Sequence, residues 1–315
     1  MSQSPPPIAV FAYNRPDSLL KTLDFLERCA GFAGSRLHVF CDDASDEETR
    51  PAIEATRRSA ANWCRPRGAH VVLRDGRRGF RNLSDGVGEL CADFGCAISL
   101  DDDHESSPHL LTFLDRALHV YRDNEKVYQV AGYFPGAILP DDCPDAFFFP
   151  SPMSMAWGTW HRAWSRFKWD IAEDGRRVLM DADLRRRFDL NDRYPTSQLL
   201  ARALTGDFDS YFIRWYLAMF LGGGQGLCTK HSLVRNFGYT GGIHPGPATR
   251  EREVFFNGRW NGEVDPSTWV LPTEVAPDED IMTRLCEAVR AAGITRHVSL
   301  PRPDAGLVPS GIAAS

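Results

Sequence analysis

Apolar residues in the N-terminal part of the chain follow two alternating periods. Ile8-Ala9-Val10-Phe11-Ala12-Tyr13 is an unbroken apolar run of strand length, and beyond Asn14-Arg15-Pro16-Asp17 the residues Leu19, Leu20, Leu23 and Leu26 recur at helical spacing. The unit repeats. Leu37, Val39, Phe40 and Cys41 lead into a helix predicted over 47–61, and Ala69, Val71, Val72 and Leu73 into one over 80–92. Cys96-Ala97-Ile98-Ser99-Leu100 leads into a helix opening at Pro108. Four alternating strand and helix patterns predict an α/β fold with a mostly parallel sheet flanked by helices. Ligands of such sheets sit beyond the carboxyl ends of the strands, so the residues just after each strand are the first candidates for chemistry.

The pattern then changes. From Phe147 to Trp169 the chain is rich in aromatics and Met, a basic helical segment follows around 176–187, and 209–220 reads as a further helix. Gly222-Gly223-Gly224 and the stretch from Gly238 to Gly246 read as loop or lid around a short strand from Leu227 to Lys230. An amphipathic helix is predicted over 278–292 and a disordered tail over 301–315. The expected organisation is an α/β half over 7–132, a second half of the same domain over 133–250, a C-terminal extension with a helix over 251–300, and the tail.

Composition narrows the functional classes. The 315 residues carry 36 Lys and Arg against 42 Asp and Glu, a net charge of −6, which disfavours a phosphate-backbone partner; nucleic acid is not expected. No apolar run approaches the ~20 residues of a membrane span, and Met1-Ser2-Gln3-Ser4-Pro5-Pro6-Pro7 lacks the basic and apolar regions of a signal peptide. A cytoplasmic protein without a transmembrane segment is the expectation, with peripheral membrane association left open. The eight cysteines form no C-x-x-C pair and lie mostly in apolar segments, which predicts free, buried thiols.

The sharpest chemical feature is Asp101-Asp102-Asp103, directly after an apolar strand. Adjacent carboxylates repel, so at the end of a buried strand they need compensating positive charge. Oxygen ligands suit Mg²⁺ or Mn²⁺, which share coordination with substrate phosphates; the alternative is a solvated acidic turn. Asp42-Asp43 follows the second strand and Asn14-Arg15 the first, so all three groups are expected on one rim. A carboxylate there can accept from a nucleobase or ribose, and Arg15 can fork onto a diphosphate near the first helix N-terminus. Asp43 as a helix cap and Arg15 as a surface turn residue remain open.

Pro7-Ile8-Ala9-Val10 through Asn14-Arg15-Pro16, Asp43 with Glu47-Glu48-Thr49, and Asp101-Asp102-Asp103-His104-Glu105-Ser106-Ser107-Pro108 together resemble the nucleotide-sugar domain of GT-A glycosyltransferases. The likeness is to the N-acetylglucosaminyltransferase that starts complex N-glycans and to bacterial family-2-like transferases, over roughly residues 7–246. The resemblance implies a GT-A (Rossmann-like) fold with an acceptor-side second half, and metal-dependent, inverting transfer of a sugar from a nucleoside diphosphate, UDP favoured. Asp103 would meet the Mn²⁺ or Mg²⁺, Asp101 the ribose, Asp102 the donor sugar and Asp43 the base, with Ala12, Asn14, Arg15 and Arg81 completing the donor site. The acceptor would be a glycan or lipid-linked saccharide, in a surface or secreted polysaccharide pathway.

Further segments extend the likeness. Met155-Ala156-Trp157-Gly158-Thr159-Trp160 resembles the family's pocket-shaping segment, where Trp157, Gly158 and Trp160 would face donor and acceptor; core packing at helical spacing is the competing role for Trp157, Trp160 and Trp164. Asp207-Phe208-Asp209-Ser210 falls where related enzymes carry the catalytic base, leaving Asp209 or Asp207 for that role and a helix cap as the alternative. Asn236-Phe237-Gly238-Tyr239-Thr240-Gly241-Gly242-Ile243-His244 resembles a donor-closing segment ending in a His that meets the diphosphate, against a merely solvated His244. Two rivals stand beside this reading. A sugar nucleotidyltransferase would carry a Gly-rich phosphate loop after the first strand, which Phe11-Ala12-Tyr13-Asn14-Arg15 lacks; a non-catalytic carbohydrate-binding module would have lost its acidic residues.

Overall fold

The computed structural model describes residues 4–238 and 250–291. The first half follows the predicted alternation: β1 (Ile8–Ala12), α1 (Pro16–Glu27), β2 (Leu37–Cys41), α2 (Arg50–Cys64), β3 (His70–Leu73), α3 (Phe80–Phe94) and β4 (Cys96–Asp101). Pro16 opens α1 at a position where no backbone N–H is needed, and its buried stripe is Leu19, Thr22, Leu23 and Leu26. After β4 comes a short strand that the sequence pattern did not show, β5 (His104–Ser106), and then α4 (Leu110–Val120).

The second half holds β6 (Val127–Ala131), β7 (Ala146–Phe149), β8 (Trp157–Trp160), α5 (His161–Trp164), α6 (Ala172–Met180), α7 (Ala182–Phe188), α8 (Thr196–Thr205), α9 (Tyr211–Leu221), β9 (Gln225–Thr229), β10 (Val234–Asn236), α10 (Arg250–Asn257) and α11 (Glu279–Ala291). Three expectations are corrected here. The basic stretch is two helices, because the Asp181 side chain accepts from the N–H groups of Asp183 and Leu184 and starts α7. The helix expected from 209 begins at Tyr211, capped by Ser210 Oγ on Phe212 N–H, so neither Asp207 nor Asp209 is the cap. Trp157 and Trp160 lie on a strand, not at helical spacing, and residues three apart on a strand point to opposite faces.

One eight-stranded sheet, in the order β3-β2-β1-β4-β8-β6-β9-β7, runs through both halves. β1 to β4, β6 and β9 share one direction while β7 and β8 run against it, giving the mostly parallel sheet with flanking helices that the pattern predicts. β1, β6, β7 and β8 are buried along their whole length, and the edge strand β3 is short and part exposed. The chain winds outward from β1 through β2 to β3 and returns to the other side of β1 with β4. A crevice therefore opens between the carboxyl ends of β1 and β4, where the strand order reverses. A two-stranded antiparallel sheet pairs β5 with β10, opposing Asn236 to His104. All eight cysteines are free, seven of them buried.

Candidate active site

The crevice is walled by residues that the register of β1 and β4 brings together. Phe11 lies beside Asp101, so Ala12, Asn14 and Arg15 leave β1 next to the acidic triplet leaving β4. The Arg15 guanidinium meets Asp102 in a very close ion pair and Asp103 Oδ2 at 2.9 Å. Burial alone would lower the Arg15 pKa; the charges and hydrogen bonds of Asp102 and Asp103 outweigh it and raise it. Asp102 is buried, which raises its carboxyl to about 6 against the pull of Arg15. Asp101 sits deep among protein atoms, and that depth together with the charges of Asp103 and Asp102 lifts its pKa; its side chain is still 42% exposed, so water on the open side moderates the rise.

Asp103 is held by a segment 133 residues further along the chain. Asn236 Nδ2 donates to its Oδ1 at 2.9 Å and Phe237 N–H to its backbone carbonyl at 3.0 Å. A Cβ on Gly238 would lie 2.2 Å from Asp103 Oδ2 and 2.7 Å from Arg15 Nη1, so a larger residue there would have to displace this ion pair. Asn236, Gly238 and His104 are not among the site residues expected from sequence, although 236–244 resembles a donor-closing segment. Their role depends on the β5–β10 pairing, which local periodicity does not reveal.

The crevice is rich in polar atoms that no described residue satisfies. Tyr13 Oη, Asn14 Oδ1, Arg15 Nε, Asp102 Oδ2 and His104 Nε2 are all buried without a hydrogen-bond partner among the described residues. Such groups are expensive to bury unless something pairs with them. Asp101, Asp103 and His104 also present ligand-type atoms all within 4.8 Å of one another. Three carboxylates facing one guanidinium, with orphaned polar atoms around them, fit a divalent cation and an anionic ligand better than they fit a solvated turn, where water would meet every oxygen.

The other expected residues divide into two groups. Asp43 is on the same rim, accepting from Gly76 N–H at 2.9 Å and Ala44 N–H at 2.8 Å, with Arg57 at 3.4 Å; the two backbone hydrogen bonds lead in lowering its pKa. Its buried neighbour Asp42, not singled out as a separate site residue, accepts from the N–H groups of Arg78 and Gly79 at 2.7 Å and of Asp43 at 2.9 Å, and so shapes the turn into α3. Trp157 stacks on Tyr211 with ring centres 6.3 Å apart. Tyr211 is itself buried, and that burial first, then the charge of Asp101, raises its pKa. Trp157 pairs with Ser99 near the end of β4, so its stacking partner at the start of α9 packs beside that strand end. Asp209, two residues upstream of Tyr211, pairs with Arg214 at 3.1 Å and keeps 63% of its side chain exposed. Asp207 is turned to the end of α8, where Thr205 Oγ1 donates to it at 2.6 Å.

Gly158 and Trp160 belong to the second group, away from the crevice. Trp160 is paired with Cys96 at the opposite end of β4 and donates to Leu118 O at 3.1 Å, while Gly158 lies in mid-sheet where a Cβ would come 3.0 Å from Leu118 Cδ1. Both serve the core, because strand direction carries residues 158 and 160 away from the rim. Arg81, on the first turn of α3, has its guanidinium 4.4 Å from the ring centre of Trp169, whose other cationic neighbour is Arg214 at 4.5 Å. It thus sits on the α9 side of the site. His244 and the stretch 239–249 lie outside the described residues.

The chain matches no family model and no curated protein. Among solved structures it is similar to S. aureus TarS, at 10% identity and a TM-score of 0.41 over 73% of this chain and 36% of that one. It is also similar to GalNAc-T7 with UDP, GalNAc and Mn²⁺, at 9% identity and 0.44 over 72% and 43%. A third is CMP:2-keto-3-deoxy-manno-octonic acid synthetase with CTP, at 11% and 0.30 over 52% and 77%. The chain thus spans less than half of these TarS and GalNAc-T7 chains. Likeness at this level has no bearing on substrate or mechanism.

Proposed function

We propose that this protein is a metal-dependent glycosyltransferase of the GT-A type that moves a sugar, with inversion, from a nucleoside diphosphate sugar to a hydroxyl of a glycan or lipid-linked saccharide. The observation that carries the reading is the set of buried polar atoms without a partner among the described residues, around three carboxylates that share one guanidinium, at the β1–β4 crevice. UDP as the donor nucleotide rests on the sequence resemblance. A divalent cation, Mn²⁺ or Mg²⁺, held by Asp103 with Asp101 would neutralise charge on the departing diphosphate.

The chain's own residues supply the rest. With the triplet neutralised, the Arg15 guanidinium is free to fork onto the diphosphate, and Asn14 Oδ1 and Asp101 can accept from ribose or sugar hydroxyls. Asp43 accepts from the base. Asp209 takes the proton from the acceptor hydroxyl as that oxygen attacks the anomeric carbon from the face opposite the leaving group. The hydrogen bond that turns Asp207 toward the end of α8, beside the open side chain of Asp209, supports Asp209 over Asp207. Trp157 and Tyr211 form an aromatic wall between the two sides.

A thermal-shift panel of nucleotide sugars with and without Mn²⁺ tests the reading. A ligand at 100 times its Kd adds about 2.7 kcal/mol of stability, and the shift is expected only with metal present. A flat panel, or release of pyrophosphate from a nucleoside triphosphate and a sugar phosphate, would overturn it. Asp43→Ala is expected to weaken donor binding by roughly 1–3 kcal/mol, read by calorimetry across donors differing in base. Affinity unchanged from the native protein for every nucleotide would reduce Asp43 to its turn role at Gly76.

A further inference from the structure

His104 is a buried polar group to which the reading above gives no task. Its side chain has no exposed surface, it lies on β5 opposite Asn236, and its backbone N–H is tied to Thr22 Oγ1 of α1 at 3.1 Å. The two ring nitrogens face different groups. Nδ1 accepts the backbone N–H of Asp101 at 3.2 Å, and an amide N–H can only donate. A neutral imidazole whose Nδ1 is an acceptor carries its proton on Nε2. Nε2 in turn lies 3.9 Å from Asp101 Oδ2 and 3.9 Å from Asp103 Oδ1, with no hydrogen-bond partner among the described residues. His104 therefore has the proximity of a metal ligand without a free lone pair. The one on Nδ1 is engaged by the amide, and Nε2 holds a hydrogen.

We infer that His104 is a positioning residue, locked as its Nε2–H tautomer, which donates to the Asp101 and Asp103 carboxylates and does not itself ligate the cation. The inference rests on reading the triplet as a metal site. A movement of about 1 Å by either carboxylate brings it to hydrogen-bond distance of Nε2. A donor between the two carboxylates reduces their mutual repulsion and sets their orientation while leaving their other lone pairs for the cation. Groups that orient metal ligands in this way typically change metal affinity by about 10–100-fold when removed.

The test uses the full chain loaded with Mn²⁺. Pulsed EPR is expected to lack the ¹⁴N coupling of a directly bound imidazole; finding that coupling overturns the inference. Long-range ¹H–¹⁵N NMR on the metal-free protein, with the His104 signal assigned through His104→Gln, is expected to report the Nε2–H tautomer, and the Nδ1–H tautomer overturns it. By calorimetry, His104→Gln, which keeps a donor, is expected to bind Mn²⁺ within about 3-fold of the native protein, and His104→Leu about 10–100-fold more weakly. Native affinity in a folded His104→Leu protein overturns the positioning role. Should both variants fail to fold, the EPR result on the native protein decides. Native protein that binds no Mn²⁺ overturns the metal reading itself, a result distinct from Mn²⁺ bound through nitrogen.

Discussion

Asp103→Ala is expected to lower sugar transfer by about 10²–10³-fold while the protein stays folded, the scale seen when a group stabilising transition-state charge is removed. The fold should tolerate the change because one of three clustered carboxylates is being deleted. Arg15 keeps its ion pair with Asp102, and Phe237 N–H still has the backbone carbonyl of residue 103. What is lost is the carboxylate shared by Arg15 and Asn236 and offered to the cation. Transfer assays at saturating Mn²⁺, with calorimetric Mn²⁺ titration and thermal unfolding on the same protein, separate these effects. A native transfer rate with Mn²⁺ would remove Asp103 from the metal site.

Asp209→Asn should lower kcat by ~10²–10⁴ with donor affinity near native, because the amide keeps size and hydrogen bonding but cannot take a proton. Stability should change little, since the Arg214 partner is retained by Ser210 O at 2.7 Å and Trp169 O at 3.2 Å, and the Asp209 side chain is 63% exposed. Asp207→Asn is the parallel control. If that variant is inactive and Asp209→Asn turns over normally, the base is two residues upstream, and the hydrogen bond from Thr205 Oγ1 to Asp207 must break to free it.

How far the site could be read from sequence depended on how local each signal was. Asn14, Arg15, Asp43 and the triplet each follow a strand whose apolar run is visible by itself, so their common rim follows from strand direction alone. Gly158 and Trp160 are assigned to the pocket by the family resemblance, whereas the spacing of Trp157, Trp160 and Trp164 points to the core but to a helix. Only the ladder with β4 and β6 fixes 157–160 as a strand running away from the rim. The cap alternative for Asp207 and Asp209 depended on where α9 begins, which Ser210 and the packing of Tyr211 against Trp157 determine.

By itself, the amino-acid sequence determined the alternation from β1 to α4, the α/β class, the free cysteines and the acidic triplet at a strand end, because each is written in neighbouring residues through side-chain periodicity and charge. Only the tertiary structure decided the rest. It inserts β8 between β4 and β6 against the direction of both, and it pairs β5 with β10 so that Asn236 reaches Asp103 across 133 residues of chain. It also makes Arg15 the cation on the triplet and turns Nε2 of His104 toward Asp101 and Asp103. Pairings of that range depend on which buried faces and backbone groups remain to be satisfied once the local elements have formed, and no window of sequence contains that information.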